Sequence, residues 1–159
     1  MAFRVLDSSA FYAGIPFSSN EPSYITSLVY NEIEHIKKDH DAVQILIETK
    51  RLMISDPEHR FIITANNAAK KSGDFPNLSD EDISTIALSL QLKAELVTDD
   101  FAISNVAKNL SIKVIPVMTS GIKNVIIWKY YCPGCKTDFS KVTECPRWGN
   151  RLKRNPMKI

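Results

Sequence analysis

Five acidic residues stand where carboxylate chemistry is possible: Asp7, Glu32, Asp82 and the adjacent pair Asp99 and Asp100. Three or four carboxylates drawn together repel one another, and burial raises their pKa values and neutralises some of them unless a cation occupies the centre. A cation is the natural explanation for such a group. Oxygen ligands facing a phosphate substrate favour Mg²⁺ or Mn²⁺, which keep several of their waters, polarise the phosphate and lower the pKa of an attacking water. No glycine-rich phosphate loop is present, which argues against a machine driven by nucleoside triphosphates. Each acid also has an ordinary role open to it: Asp82 in a capping box, Asp99 as a helix N-cap, Asp7 as a turn residue after a strand, Glu32 as an exposed helix acid. Ser8, Ser9 and Thr98 are hydroxyls beside these acids, suited equally to a metal-bound water or phosphate and to turn and capping hydrogen bonds. For every acid to be structural at once requires several independent coincidences.

The elements that must position these acids follow from periodicity. Phe3 to Leu6 reads as a short strand running straight into Asp7, and Gly14, Pro16, Pro22 and a Ser/Asn cluster mark a loop to about residue 25. From Thr26, the residues Leu28, Val29, Ile33 and Ile36 recur at helical spacing, which makes Glu32 a carboxylate on an otherwise apolar helix face. Ala42 to Met53 supplies a second amphipathic stretch, with Val43, Ile47 and Ile54 on one side. Asp56-Pro57 reads as an N-cap followed by proline at the first helical position, opening a third helix that stops near Gly73. Ser79 to Asp82 resembles a capping box at the head of a helix whose apolar face is Ile83, Ile86, Ala87 and Leu90, so Asp82 borders the core from the first turn. Glu95 to Val97 reads as a strand, Ala102 to Leu110 as a helix and Ile112 to Val117 as a strand. Strand–helix alternation implies a parallel sheet covered on both faces, and in such sheets ligands bind outside the carboxyl ends of the strands. Asp7 and the Asp99-Asp100 pair would project toward that edge.

With 159 residues, 44% of them hydrophobic and 24% charged, the chain suits one soluble core plus a small appendage. No apolar run approaches the ~20 residues of a membrane-spanning helix, so no membrane partner is expected. Asp7 comes too early for a secretory signal, and a cytoplasmic location is expected. The net charge of +2 conceals an asymmetry. Residues 1–118 carry 11 Lys+Arg against 16 Asp+Glu, whereas residues 119–159 carry nine against only Asp138 and Glu144. An acidic body with a basic tail suits carboxylate chemistry on a polyanion. The sign changes at Thr119-Ser120-Gly121, which places a linker at 119–124 between a domain at 1–118 and a β-rich one at 125–159.

Val-Leu-Asp7-Ser-Ser-Ala-Phe, Ser-Leu-Val-Tyr-Asn-Glu32-Ile, Leu-Ser-Asp-Glu-Asp82-Ile-Ser-Thr-Ile-Ala and Leu-Val-Thr-Asp-Asp100-Phe-Ala-Ile-Ser-Asn, in that order, resemble the PIN-domain nucleases. Ala-Ala-Lys-Lys-Ser-Gly-Asp74 before the third segment and Cys132-Pro-Gly-Cys135 after the fourth extend the likeness over almost the whole chain. The pattern is similar to that of archaeal endoribonucleases that mature the 3′ end of small-subunit ribosomal RNA, a PIN domain followed by a zinc ribbon. The resemblance implies a PIN-like three-layer α/β fold with a central parallel sheet, and a small β-rich zinc-ribbon domain after it. It implies Mg²⁺- or Mn²⁺-dependent hydrolysis of a phosphodiester in precursor small-subunit rRNA, with the pre-ribosomal particle as partner. Asp7, Glu32, Asp82 and Asp100 would hold the metal, and Asp99 would be an orienting or capping partner in the catalytic set.

Cys132-Pro-Gly-Cys135 and Cys145-Pro-Arg-Trp148 form two knuckle-like turns, and the ribbon pattern places a fourth cysteine at 148, where this chain has tryptophan. A closed structural Zn²⁺ site wants four donors. Three readings stay open: a fourth donor from elsewhere, a weakened site, or a ribbon held without metal by Trp128, Tyr130, Phe139 and Trp148; weakened Zn²⁺ binding is the one favoured. His35, His40 and His59 all lie in the first domain. Lys129, Lys136, Lys141, Arg147, Arg151, Lys153 and Arg154 interleave with Trp128, Tyr130, Tyr131 and Trp148, a mixture suited to phosphates and unstacked bases of RNA and equally to a solvated tail over core aromatics. Two other functions remain alongside the rRNA endonuclease: a PIN-type toxin acting on other RNA, and a non-catalytic RNA-binding ribosome-assembly factor.

Overall fold

The computed structural model describes residues 3–18, 20–36 and 40–117, together with strands at 126–131, 138–139 and 153–158. The linker at 119–124, the three cysteines, Trp148, Lys136, Lys141, Arg147 and Arg151 lie outside the described residues.

In chain order the elements are β1 (Arg4–Leu6), α1 (Ser8–Tyr12), α2 (Ile15–Ser18), β2 (Ser23–Ile25), α3 (Ser27–Ile36), α4 (His40–Glu48) and β3 (Leu52–Ile54). There follow α5 (His59–Ser72), α6 (Asp80–Leu92), β4 (Glu95–Val97), α7 (Phe101–Asn109), β5 (Val114–Ile115), β6 (Ile126–Tyr131), β7 (Asp138–Phe139) and β8 (Lys153–Lys158). The first five strands form a parallel sheet in the order β3-β2-β1-β4-β5. The last three form an antiparallel sheet in the order β7-β6-β8.

Side chains alternate across a strand, and that alternation divides the core in two. Val5 and Leu96 bury against apolar residues of α5, α6 and α7 on one face. Leu6 and Val97, one position on, bury against Ala10 and Phe11 of α1, Val29 and Ile33 of α3, and Val43 and Leu46 of α4 on the other. The result is three layers, helix–sheet–helix, as the resemblance implied. Helix α6 is buried along the whole run from Ile83 to Ser89 rather than on one stripe, because it packs against α3 and α5 as well as the sheet.

Several elements depart from their sequence expectations. The expected loop to residue 25 contains α1, α2 and β2; Asp7 caps α1, and Pro16 sits in the first turn of α2 where its missing N–H is no loss. The amphipathic stretch ending at Met53 breaks at Lys50, whose φ of 58° ends the helical path, so Ile54 belongs to β3. Helix α5 begins after Glu58 rather than Asp56, because the Asp56 carboxylate accepts hydrogen bonds from Ser27 N (2.9 Å) and Ser27 Oγ (2.8 Å) at the head of α3. At its other end Gly73 adopts φ 84°, ψ 7° and donates back to Ala69 and Lys70, the left-handed stop that glycine makes without strain. The final strand of the parallel sheet is shorter than expected, covering Val114 and Ile115 alone.

Candidate active site

Strand order alone selects a location. The chain builds β1, β2 and β3 outward in one direction, then returns to place β4 and β5 on the other side of β1. Leu6 pairs with Val97, so the residues that follow β1 and β4 leave the sheet side by side at its carboxyl edge, the point where such sheets form a crevice.

Asp7 is the first residue past β1 and is 4% exposed. As N-cap of α1 its Oδ1 accepts from Ala10 N (2.9 Å) and from Ser9 Oγ (2.7 Å). The Thr98 hydroxyl, just past β4, donates to Asp7 Oδ2 and accepts from Asp100 N at 3.0 Å. One buried hydroxyl therefore ties together the two acidic strand ends. Burial pushes the Asp7 carboxyl above its ordinary value, and the Asp100 carboxylate adds to the rise; the bonds from Thr98, Ala10 and Ser9 oppose it.

The Asp99-Asp100 pair divides its labour differently from expectation. Asp100, not Asp99, is the N-cap of α7, its Oδ1 accepting from Ile103 N at 3.0 Å. Asp99 Oδ1 instead accepts from Val117 N at 2.7 Å, which pins the chain leaving β5.

Asp82 belongs to the expected capping box: Ser79 Oγ accepts from Asp82 N (3.2 Å), and Asp82 Oδ2 accepts from Ser79 N (2.9 Å). Partial burial raises its pKa, as do the charges of Asp100 and Asp7. Glu32 lies beside Ile33, which is buried, but Leu28 is 39% exposed, so its side of α3 is a boundary rather than the apolar strip expected. Its carboxyl is raised by burial first and then by Glu81, Asp82 and Asp7. Asp7 thus stands in the field of Asp100, Asp82 in those of Asp100 and Asp7, and Glu32 in those of Asp82 and Asp7, while Asp99 Oδ1 holds Val117 and its N–H donates to Ser9 Oγ.

Two neighbours of Glu32 carried no functional reading in the sequence. Glu81 precedes Asp82 in the first turn of α6, and Tyr12 ends the helix that Asp7 caps; burial and the Glu32 charge raise the Tyr12 pKa. Proximity in sequence to the expected acids was the available signal for both. His59 opens α5, on the helix layer opposite α1 and α3, and His35 and His40 fall in α3 and α4.

The donor set suits a hydrated divalent cation. Among the described residues, no group of three or more His, Cys, Asp or Glu side chains is gathered closely enough to enclose an ion directly. Mg²⁺ needs no such cage, because it keeps several waters and binds through one or two carboxylates. Asp82 Oδ1 and Asp100 Oδ2 accept no hydrogen bond among the described residues, so each has an oxygen to offer. Positive charge at the centre would also offset the burial and, after it, the neighbouring charges that raise the Asp7, Glu32 and Asp82 pKa values.

The PIN domain of ribonuclease family matches residues 5–92, a span that includes Asp7, Glu32 and Asp82. The chain is 33% identical over 155 residues to the endoribonuclease Nob1 of Pyrococcus abyssi, covering 96% of this chain and 92% of that one. It is 36% identical to the Nob1 of Methanocaldococcus jannaschii, covering 99% of this chain and 80% of the relative. The chain belongs to the Nob1 family of PIN-domain endoribonucleases. Ribonuclease VapC1 of Thermoplasma acidophilum is also similar, at 35% identity, but over 77% of this chain and 64% of its own length. In fold, the chain matches a PilT N-terminus domain protein of Sulfolobus solfataricus with a TM-score of 0.50, 20% identity and coverage of 72% and 86%. PIN nucleases use divalent metals such as Mg²⁺ or Mn²⁺ and act on RNA, so a Nob1-type member is a metal-dependent nuclease with an RNA substrate. Among the described residues no helix is long and apolar enough to cross a membrane.

Proposed function

We propose that this Nob1-family nuclease cleaves precursor small-subunit rRNA at its 3′ end within a pre-ribosomal particle in the cytoplasm, using Asp7, Glu32, Asp82 and Asp100 to hold Mg²⁺ or Mn²⁺. The observation that carries the reading is the meeting of Asp7, Thr98 and Asp100 where β1 and β4 leave the sheet, with Asp82 in reach of both their charges and Glu32 in reach of that of Asp7. Family likeness that runs through 96–99% of the chain, rather than stopping with the PIN domain, favours rRNA maturation over a toxin-type ribonuclease.

A bound divalent ion supplies charge neutralisation and Lewis-acid polarisation of the phosphodiester. The chain supplies orientation. Ser9, Ala10 and Thr98 fix the buried Asp7 carboxylate from both oxygens, and the cap of α7 fixes Asp100. Asp82 is held by Ser79, whereas the Glu32 carboxylate has no hydrogen bond among the described residues and keeps its freedom to adjust to the substrate. Asp99 positions the strand exit through Val117 and stays outside the metal set.

The basic tail is proposed to grip the RNA backbone. Arg154 pairs across the sheet with Tyr130 and Lys153 with Tyr131, so two cationic residues are cross-strand neighbours of two aromatic ones; Lys129, on the same β6, pairs with Asn155. Lys136, Lys141, Arg147 and Arg151 belong to the same charge run. Cys132, Cys135 and Cys145 are proposed to bind Zn²⁺ in a site weakened by Trp148. The test of the reading is cleavage of an RNA spanning the rRNA 3′ end with and without Mn²⁺, in wild type and in Asp7→Asn; unchanged cleavage by the variant would defeat the proposed site.

A further inference from the structure

An RNA strand approaching four carboxylates meets repulsion wherever the cation does not offset it, so the nucleotides beside the scissile bond need a contact that does not depend on charge. Tyr12 offers one. It ends α1, the five-residue helix capped by Asp7, and α1 lies against α3, the helix that carries Glu32. The ring stands edge-to-face on Phe11, with centroids 6.4 Å apart and planes at 88°. Phe11 is fully buried, yet Tyr12 is 42% exposed, so the residue is anchored on the core while part of it reaches solvent. Single exposed aromatics are common on protein surfaces; this one is singled out by its place, five residues from Asp7 and on the helix that packs against the one carrying Glu32.

We propose that Tyr12 is a substrate-positioning residue that stacks a base of the RNA next to the scissile phosphate. Bases of single-stranded RNA are held by stacking on aromatic rings, a contact tolerant of sequence and indifferent to the sign of the surrounding charge. The inference rests on the endoribonuclease reading and adds to it the residue that sets the register of the strand against the carboxylates. The ring gives the substrate strand a fixed plane while the carboxylates stay free to hold the cation.

The experiment compares Tyr12→Leu, Tyr12→Trp and Phe3→Leu in the full-length protein. Phe3 is a matched control: it is 46% exposed and packs edge-to-face on Tyr24, but it precedes β1, at the opposite end of the sheet from the acids. Loss of one stacked base weakens RNA binding roughly fivefold to a hundredfold. Tyr12→Leu is therefore expected to raise KM by such a factor with kcat nearly unchanged, Tyr12→Trp to restore it, and Phe3→Leu to leave it alone, all with melting temperatures close to wild type. A second arm uses an RNA carrying 2-aminopurine beside the cleavage site in an Asp7→Asn background. Fluorescence quenching on binding is expected with Tyr12 and lost with Tyr12→Leu. An unchanged KM and unchanged quenching in Tyr12→Leu, or failure of Tyr12→Trp to recover either, overturns the proposal. Absence of cleavage in wild type would instead strike the endoribonuclease reading, and the fluorescence arm still reports whether Tyr12 stacks a base.

Discussion

Replacing Thr98 with valine removes one hydroxyl from a buried position with almost no change of volume, so no cavity term enters. Two hydrogen bonds go with it: the donation to Asp7 Oδ2 and the acceptance from Asp100 N. A bond to a charged group contributes about 1.5–3 kcal/mol, and stranding the Asp100 amide adds about 1 kcal/mol, for a total of about 2.5–4 kcal/mol at neutral pH. For a chain of this size that lowers the melting temperature by roughly 10 °C. The effect depends on pH in a defined direction. Folding already raises the Asp7 pKa above 3.8, chiefly by burial, and Thr98 provides the largest opposing contribution. Its loss raises the folded pKa further. Stability from a raised carboxyl is fully present below the unfolded value and is lost as pH rises through the folded value. The cost of Thr98→Val is therefore smaller near pH ~4, where more of Asp7 is protonated, and grows toward neutrality. Urea denaturation in a chelator at both pH values, with unchanged m, reads this directly. A cost under about 1 kcal/mol at neutral pH, or an equal cost at both, refutes the reasoning.

Ion-free wild-type protein is expected to lose stability as pH rises from about 4 toward neutrality, because Asp7, Glu32 and Asp82 all have raised folded pKa values, and Mn²⁺ should flatten that decline. Thermal melts across this range with chelator and with Mn²⁺ check both statements. Lys153→Gln with Arg154→Gln should weaken RNA binding across all sequences and reduce the slope of log affinity against log salt by about 0.7 per lost phosphate contact. Trp148→Cys should raise Zn²⁺ affinity in competition with a chelator, and no change would sink the idea that position 148 is a lost ligand.

Local chemistry was legible in the sequence wherever one element supplies both partners. Ser79 and Asp82 satisfy each other's backbone within one turn, and Gly73 ends its helix by backbone freedom alone. Asp7 and Asp100 were legible as strand-end acids because a parallel sheet sends such residues to one edge. What failed depended on tertiary partners. Asp56-Pro57 has the form of a helix start, but Ser27, 29 residues away in sequence, takes the carboxylate. The three-residue β2 and five-residue α1 are too short for periodicity and are held by burial of Ile25 and Phe11. Lys50 and Lys93 turn left-handed at helix ends without the glycine that would announce it. The choice between Asp99 and Asp100 as helix cap turned on the neighbouring strand, since Asp99 reaches Val117 across it.

The most direct measurement is cleavage of an RNA that spans the 3′ end of small-subunit rRNA, by wild type and Asp7→Asn, with Mn²⁺ and with chelator, alongside RNA affinity. Cleavage at a defined site by wild type with Mn²⁺ alone, abolished in Asp7→Asn at undiminished RNA affinity, is the predicted result. Cleavage that persists in Asp7→Asn or in chelator would contradict a carboxylate-held metal at the meeting point of β1 and β4.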